Sequence, residues 1–498
     1  MNIKWRNIDI RVFAILISFG LSAWHVLLNP IPNADAFDYI RTATVYLDSG
    51  LAAAFSWYPS ATYPVLIGVL HQLTGIDLVS SGQLLNALFY ALIVYAFISI
   101  SLELRNTRHI ALISAVIILA FPTLNEYRYY LIRDIGFLAF MLLAGLQLIR
   151  YSKQCQNKNA IAFVSLALIA ALFRSEALVY LALAPVALIA SAQSRWQAFL
   201  KLEALLFAIG ILTVAILFML NINMFSILQR VLTVYWPFLQ DAFTALSDGN
   251  SALSDAIFGQ YAANFSGEYI GLFMLTGLSA VLLAKLLSGL GVPFLLVLLY
   301  GLNQHRRELF NNRTRELLGF ALISFAIVLC FLALTRFIST RYTLMFSLSL
   351  LALVPLIIDS TLIQMHKQQR QKLASGIFIV LFLFSAIDAH ISFGGSRDSL
   401  QDATDWLLTN TQDGDTVFTN SPYIAYYSGR VENYDEITRY LSEYTIENTQ
   451  FDTILAITTG SGNDQRIEHS IEFAQIELLA AFPDGEEPEV LIFRRLGN

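Results

Sequence analysis

Between residues 9 and 392 the chain alternates long apolar runs with short polar breaks. A helix needs about 20 predominantly apolar residues to cross the hydrocarbon of a bilayer. Runs at 9–28, 80–102, 109–123, 135–150, 160–173, 176–192, 203–221, 269–303, 317–335, 342–360 and 373–392 predict eleven transmembrane helices. The run at 269–303 is long enough for one tilted crossing and an interfacial helix. From 393 onward the pattern changes. Residues 399–408 have helical spacing, 415–419 read as a strand, 422–427 as a short helix, 452–458 as a buried strand, 467–480 as a helix and 490–494 as a last strand. That alternation predicts a small α/β domain with a parallel or mixed sheet. The expected fold is a polytopic α-helical membrane protein, residues 1–392, followed by a small C-terminal α/β domain, residues 393–498.

Composition agrees with lipid as the solvent. Of 498 residues 56% are hydrophobic and only 14% charged, against roughly a quarter charged in soluble domains, which excludes a soluble enzyme. The charge is unevenly divided: residues 393–498 hold 19 of the 37 acidic residues and 6 of the 31 basic ones, none of them Lys, a local net of −13. Polyanions are held by Lys and Arg, so nucleic acid is excluded as a partner. With two cysteines, Cys155 and Cys330, no disulfide framework supports the tail. The tail also lacks a G-x-G-x-x-G, so nothing there points to a nucleotide.

Cytoplasmic loops retain positive charge. With the N-terminus inside, seventeen Lys and Arg fall on inner segments, among them Arg11, Arg105, Arg150, Lys153, Arg313 and Arg370. Before residue 393 the outer segments hold seven, Arg41, Arg128, Arg133, Arg174, Arg230, Arg336 and Arg341. Lys285 lies within a span. Eleven crossings then place the acidic tail outside, on the periplasmic or extracellular face of the cytoplasmic (inner) membrane, and the first run reads as a retained signal anchor. Two outer segments are long. Residues 29–79 contain Pro30, Pro32, Pro59 and Pro64, while 222–268 mix Tyr235, Trp236 and Phe238 with Asp241, Asp248 and Asp255. Such interleaving suits segments lying at the headgroup level.

Candidate chemistry sits at the outer ends of the spans. In the segment Asn33 to Ala43, Asp35 and Tyr39 are four apart and share a helical face, with Asp38 adjacent. On spacing alone Asp35 reads rather as a plain helix cap in a solvated first turn. A second cluster runs from Asn125 through Glu126, Arg128 and Arg133 to Asp134. Arg beside Asp at the mouth of a span also occurs as an ordinary ion pair. Yet Arg174-Ser175-Glu176 and the pair Arg336 and Arg341 fall on the same outer face, where positive charge is otherwise scarce. An anionic group bound at that depth accounts for the concentration.

In order and sidedness these residues resemble the GT-C superfamily of integral-membrane glycosyltransferases, of the dolichyl-phosphate-mannose-protein mannosyltransferase and aminoarabinose-transferase type. The likeness lies in D-x-x-x-Y-x-x-x-A after the first span (Asp35, Tyr39, Ala43), in Tyr63-Pro64 with Gly75 later in that loop, and in Arg174-x-Glu176 before a later span. It continues with R-x-x-x-x-R-Y near the end of the bundle (Arg336, Arg341, Tyr342) and, in the tail, with Asp405-Trp406-Leu407 and Tyr426-Tyr427-Ser428-Gly429-Arg430. The resemblance implies a polyprenyl-phosphate-linked sugar donor, a glycan, lipid or protein acceptor, and a single inverting displacement. It implies Asp35 as the base that takes or orients the hydroxyl proton, and Asp134 as a group that places the acceptor or an ion. Arg133, Arg174, Arg336 and Arg341 would hold the leaving phosphate, with Asp38, Tyr39 and Glu176 as further substrate-binding groups.

The chain departs from many relatives in the first loop, where Ala36 follows Asp35 and the second acid is Asp38. A divalent cation is therefore an option and not a requirement. His25, His71 and His469 are isolated, which predicts no structural zinc. Two other functions share the membrane bulk: a transporter or flippase of lipid-linked sugars, and a non-catalytic scaffold. Transporters place ionisable groups at the midplane, whereas here the acids and most Arg lie at span ends, with Lys285 the main exception.

Overall fold

The structure, a computed structural model, describes residues 9–191, 195–219, 236–237, 240, 250–391, 398–412, 415–431, 449–459, 476–485 and 488–496. Lys4, Arg6, Arg230, His469 and most of the outer segment before Asn250 lie outside these residues. Two compact units divide the chain: Met1–Ala23, Asn86–Arg128 and Arg133–Ile391 form one, and Trp24–Leu85, Tyr129–Ile132 and Ser392–Asn498 form the other.

The first unit is helical. Across the described residues of the chain, eight helical segments are long and apolar enough to cross a membrane: Ile10–Leu28, Leu78–Leu104, Asp134–Gln154, Trp196–Ala215, Tyr261–Leu290, Arg315–Thr335, Thr340–Lys367 and Gln371–His390. Three further expected spans are shorter helices, Arg108–Leu119, Asn157–Phe173 and Ala177–Ile189. The first of these, 12 residues long, is about 18 Å in length at 1.5 Å per residue. The long run at 269–303 is broken at Gly291, whose φ of 73° ends helix Ile270–Leu290 and precedes helix Val292–Gln304 with Pro293 in its first turn.

Lipid as solvent explains the surface. Helix Gln371–His390 exposes Leu373, Ile377, Val380, Leu383 and Phe384, a pattern that would be costly in water and is ordinary against acyl chains. Helix Asp134–Gln154, in contrast, is buried along most of its length. Small residues let the inner helices approach. A Cβ on Gly289 would strike Thr343 Oγ1, and one on Gly301 would strike Ile357.

The second unit holds a four-stranded mixed sheet in the order β1-β2-β4-β3, where β1 is Val417–Thr419, β2 Ile454–Thr458, β3 Ile476–Phe482 and β4 Val490–Arg495. β1 runs parallel to β2, and both β2 and β3 run antiparallel to β4. Helices Asp398–Asn410 and Pro422–Ser428 cover one face, packing Ala403, Leu407 and Ile424 on Val417, Ile454, Ala456 and Ile492. The expected mixed α/β tail is present, with one correction. The helix expected at 467–480 is not what its described part forms: residues 476–482 are a strand with an irregularity between Leu478 and Ala480, and 467–475 lie outside the described residues. The run Leu478-Leu479-Ala480-Ala481 lacks alternation because β3 is only partly buried on both faces, and an unalternating apolar run is the pattern on which helix and strand cannot be told apart.

To this unit also belongs the first outer segment, with helix Asp35–Trp57, kinked at Gly50 (φ 84°), and helix Thr62–Thr74, ended by Gly75 in the left-handed region. Phe37 from that segment packs among Tyr423, Tyr426 and Tyr427 of helix Pro422–Ser428, with ring centroids 5.5–6.1 Å apart.

Candidate active site

Within the first unit, four of the expected residues meet in one cavity. Asp134 opens helix Asp134–Gln154 and is 6% exposed. Arg174 ends helix Asn157–Phe173 in an extended conformation, and Glu176 caps the next helix, Ala177–Leu183. Arg174 leaves the helix in that extended conformation, and its guanidinium faces the start of helix Asp134–Gln154. It donates through Nη1 to Asp134 and through Nη2 to Glu176, the latter at 2.5 Å. It also lies over the rings of Tyr342, 4.8 Å from the centroid, and Phe137, at 5.8 Å.

Arg341 and Tyr342 come from the 3-10 turn Thr340–Thr343, and Arg341 Nη2 donates to the Tyr342 hydroxyl at 3.4 Å. Asp134, Arg174, Glu176, Tyr180, Arg341 and Tyr342 line a narrow cavity of about 30 Å³. Its floor is closed by a 2.5 Å hydrogen bond between the Tyr180 hydroxyl and Ser324 Oγ on helix Arg315–Thr335. Burial works to strip the proton from Arg174, but Asp134 and Glu176 overcome it and raise the Arg174 pKa. Burial likewise favours a protonated Glu176, and Arg174 outweighs it, holding this carboxyl below the ordinary range. Arg133 adds its charge to the field at Glu176. Arg336 is placed differently: exposed, with φ 55°, it ends helix Arg315–Thr335 and does not line the cavity.

The acids of the first outer segment belong to the second unit. Asp35 is the first residue of helix Asp35–Trp57 and is half-buried, while Asp38 in the same turn is exposed. Carboxylates in a first turn are favoured by the helix dipole. Tyr39 is buried edge-on against Tyr58 and Tyr63, at 6.0 and 5.2 Å. Preceding them, Asn33 holds the turn: its backbone carbonyl accepts from Ala36 N and its side-chain Oδ1 accepts from Leu131 N at 2.8 Å.

Sequence reasoning did not single out Tyr180 or Ser324, since a Tyr and a Ser inside apolar runs carry no charge signal. It also counted Arg128 only as one more outer cation. The side chain is fully buried: Nε donates to Asn125 Oδ1, Nη1 to Ser22 Oγ and to the Ser18 carbonyl of the first helix, and the guanidinium lies 4.4 Å over Tyr90. Burial pulls its pKa down to about 10. These neutral partners make Arg128 a tie from the turn after Asn125 to the interior of the first helix. Among the described residues no group of three His, Cys, Asp or Glu side chains is gathered to hold a metal ion. Asp134 and Glu176, the carboxylates that do converge, are both taken up by Arg174, so the cavity does not fit a bound cation.

No protein-family model matches the chain, and no curated protein matches it. Among solved structures, ArnT from Cupriavidus metallidurans in the apo state is 11% identical, with 97% of each chain covered and a TM-score of 0.53. This chain shares that fold. The Archaeoglobus fulgidus oligosaccharyltransferase is also similar, in the apo form (13% identical, TM-score 0.49) and in complex with Zn and sulfate (15%, 0.47). These two cover 86% and 87% of this chain, which spans 65% and 59% of their length. The likeness to the ArnT structure, over 97% of each chain, is one of fold.

Proposed function

We propose that this chain is a membrane glycosyltransferase that moves a sugar from a polyprenyl-phosphate carrier to an acceptor hydroxyl at the outer face of the cytoplasmic membrane. The observation that carries this reading is the meeting of Asp134, Arg174, Glu176 and Arg341 at the mouth of a helical bundle of GT-C fold. Buried ionic networks at span ends are costly to keep, and one that pairs two carboxylates with cations suits a site that must handle an anionic leaving group beside an acid.

In the proposed reaction the acceptor oxygen attacks the anomeric carbon as the bond from that carbon to the phosphate oxygen breaks. The bonding pair leaves with the phosphate, the hydroxyl proton passes to Asp35, and the sugar is inverted. Arg341, with Arg133, meets the charge that develops on the phosphate, each charge-assisted bond contributing about 1.5–3 kcal/mol. Arg174 acts through its neighbours, holding Asp134 and Glu176 in one arrangement where Asp134 places the acceptor. Asp38 and Tyr39 support the Asp35 loop. At about 30 Å³ the cavity has room for a water or two, less than a sugar ring occupies.

Purified protein in liposomes, supplied with polyprenyl-phosphate-linked sugars and candidate acceptors, should release polyprenyl phosphate and form the inverted glycoside. Movement of intact donor across the bilayer without cleavage would instead support a flippase.

A further inference from the structure

At the other end of the same helices lies a larger cavity that the transfer reaction does not use. Arg150 stands sixteen residues after Asp134 on helix Asp134–Gln154, about 24 Å along the axis. Arg150, Lys153, Glu103, Arg11 and Arg313 line this second cavity of about 700 Å³, together with polar side chains that include Asn106. Its charges do not balance. Glu103 alone serves two cations, accepting from Arg150 Nε at 2.8 Å and from Lys153 Nζ at 2.9 Å. Arg11 has Asp9, at 2.5 Å, and a weaker bond to Ser99. Arg313 is exposed and reaches only the Leu104 carbonyl, at 3.5 Å; among the described residues it makes no ion pair. Four cations thus meet three carboxylates, Glu103 and Glu316 of the lining and Asp9 on Arg11, around a recess with amide and hydroxyl donors.

We infer that this recess binds the phosphate of an anionic lipid headgroup. A phosphate takes donors from several directions, and Arg and Lys supply charge-assisted ones; basic pockets between helices on the cytoplasmic side suit such headgroups. A lipid, and not a soluble anion, is favoured by what adjoins Arg11. Val12, Phe13 and Leu16 on the same helix are 53%, 55% and 63% exposed, an apolar face that begins about a quarter-turn round the helix from Arg11 and is available to an acyl chain. Positive charge that merely orients the protein need not form a recess. Lys158, exposed on a neighbouring turn, does not line this one.

The test uses the full chain in maltoside detergent and reads its melting temperature during titration with dioleoylphosphatidylglycerol, dioleoylphosphatidylcholine or inorganic phosphate. Phosphatidylglycerol should give a saturable rise, with a midpoint about tenfold weaker in Arg313→Gln, unchanged in Lys158→Gln, and largely kept in Arg313→Lys. Arg150→Gln, whose partner Glu103 keeps Lys153, gives a second reading of the same site. A saturable response to inorganic phosphate alone, lost in Arg313→Gln, would uphold the anion site and overturn the lipid source. Equal responses to the two lipids, or an unmoved midpoint in both Arg313→Gln and Arg150→Gln, would overturn the site itself. No turnover is measured, so this outcome is independent of the glycosyltransferase reading.

Discussion

Arg174 and Asp134, forty residues apart in sequence, form one buried ion pair, and the second nitrogen of the same guanidinium holds Glu176. A cation shared in this way is not free to greet a phosphate. Its removal would strand two carboxylates in a site from which water is largely excluded.

Arg174→Gln should therefore destabilise the protein by about 3–5 kcal/mol, the usual cost of breaking a buried pair from one side. The pH dependence separates this from ordinary loss of packing. In the wild type the Glu176 pKa is lowered, so its contribution is present at neutral pH and is lost as pH falls through that depressed value, below about 4.3. Without Arg174, burial dominates and the carboxyl pKa rises, so the variant should gain stability on acidification from pH 7 to 5, where the wild type is flat. Melting temperatures in detergent across that range check the sign, and parallel curves would refute the assigned pairing.

Asp35→Asn keeps the shape of the first-turn side chain and removes its basicity. Turnover should fall about 100-fold to 10,000-fold with little change in melting temperature, because the residue is half-buried at a helix start. Arg341→Gln should lower turnover about 10-fold to 100-fold, and Arg341→Lys should recover part of it. Radiolabelled sugar transfer in liposomes reads both. Wild-type rates in Asp35→Asn would remove the proposed base.

Sidedness is open to direct chemistry. In a Cys155→Ser, Cys330→Ser background, Gln412→Cys in the tail and Asn312→Cys beside the second cavity both place an exposed thiol. A membrane-impermeant maleimide added to intact cells should label position 412 and not 312, because Lys and Arg concentrate at the 312 end. The reverse pattern would invert the membrane orientation and move the proposed transfer to the cytoplasmic face.

Much of the fold was legible because lipid imposes one strong pattern: the described part of each expected span is largely helical, and the strands around Val417, Ile454 and Val490 stand where the sequence pattern placed them. Charge sidedness also drew attention to Asp134, Arg174, Glu176 and Arg341. What the sequence concealed was pairing. Nothing in the spacing of Arg174 says that both its forks face carboxylates, or that Arg336, five residues before Arg341, ends its helix in the left-handed region and is not part of the cavity lining. The grouping of the first outer segment with the tail, through Phe37 on Tyr423 and Tyr427, is likewise a long-range contact that local periodicity does not encode.

One glycine sets the distance on which the ion pair depends. Gly136 lies in the first turn of helix Asp134–Gln154, and a Cβ there would stand 2.6 Å from Phe173 Cε1. Phe173 precedes Arg174 directly, and its ring has little room to yield, being edge-on to Phe89 at 5.4 Å and stacked on Phe140 at 5.8 Å. Gly136→Ala must then push the end of helix Asn157–Phe173 away from Asp134. Overpacking of this kind costs about 1–3 kcal/mol, and a displacement near 1 Å in a positioned group can cost about 100-fold in rate. Transfer should fall much further than stability, and Phe173→Leu, which frees the space, should restore activity to the double variant. If Gly136→Ala transfers sugar at the wild-type rate, the placement of Arg174 is not limited by this contact, and the ion pair tolerates more latitude than its burial implies.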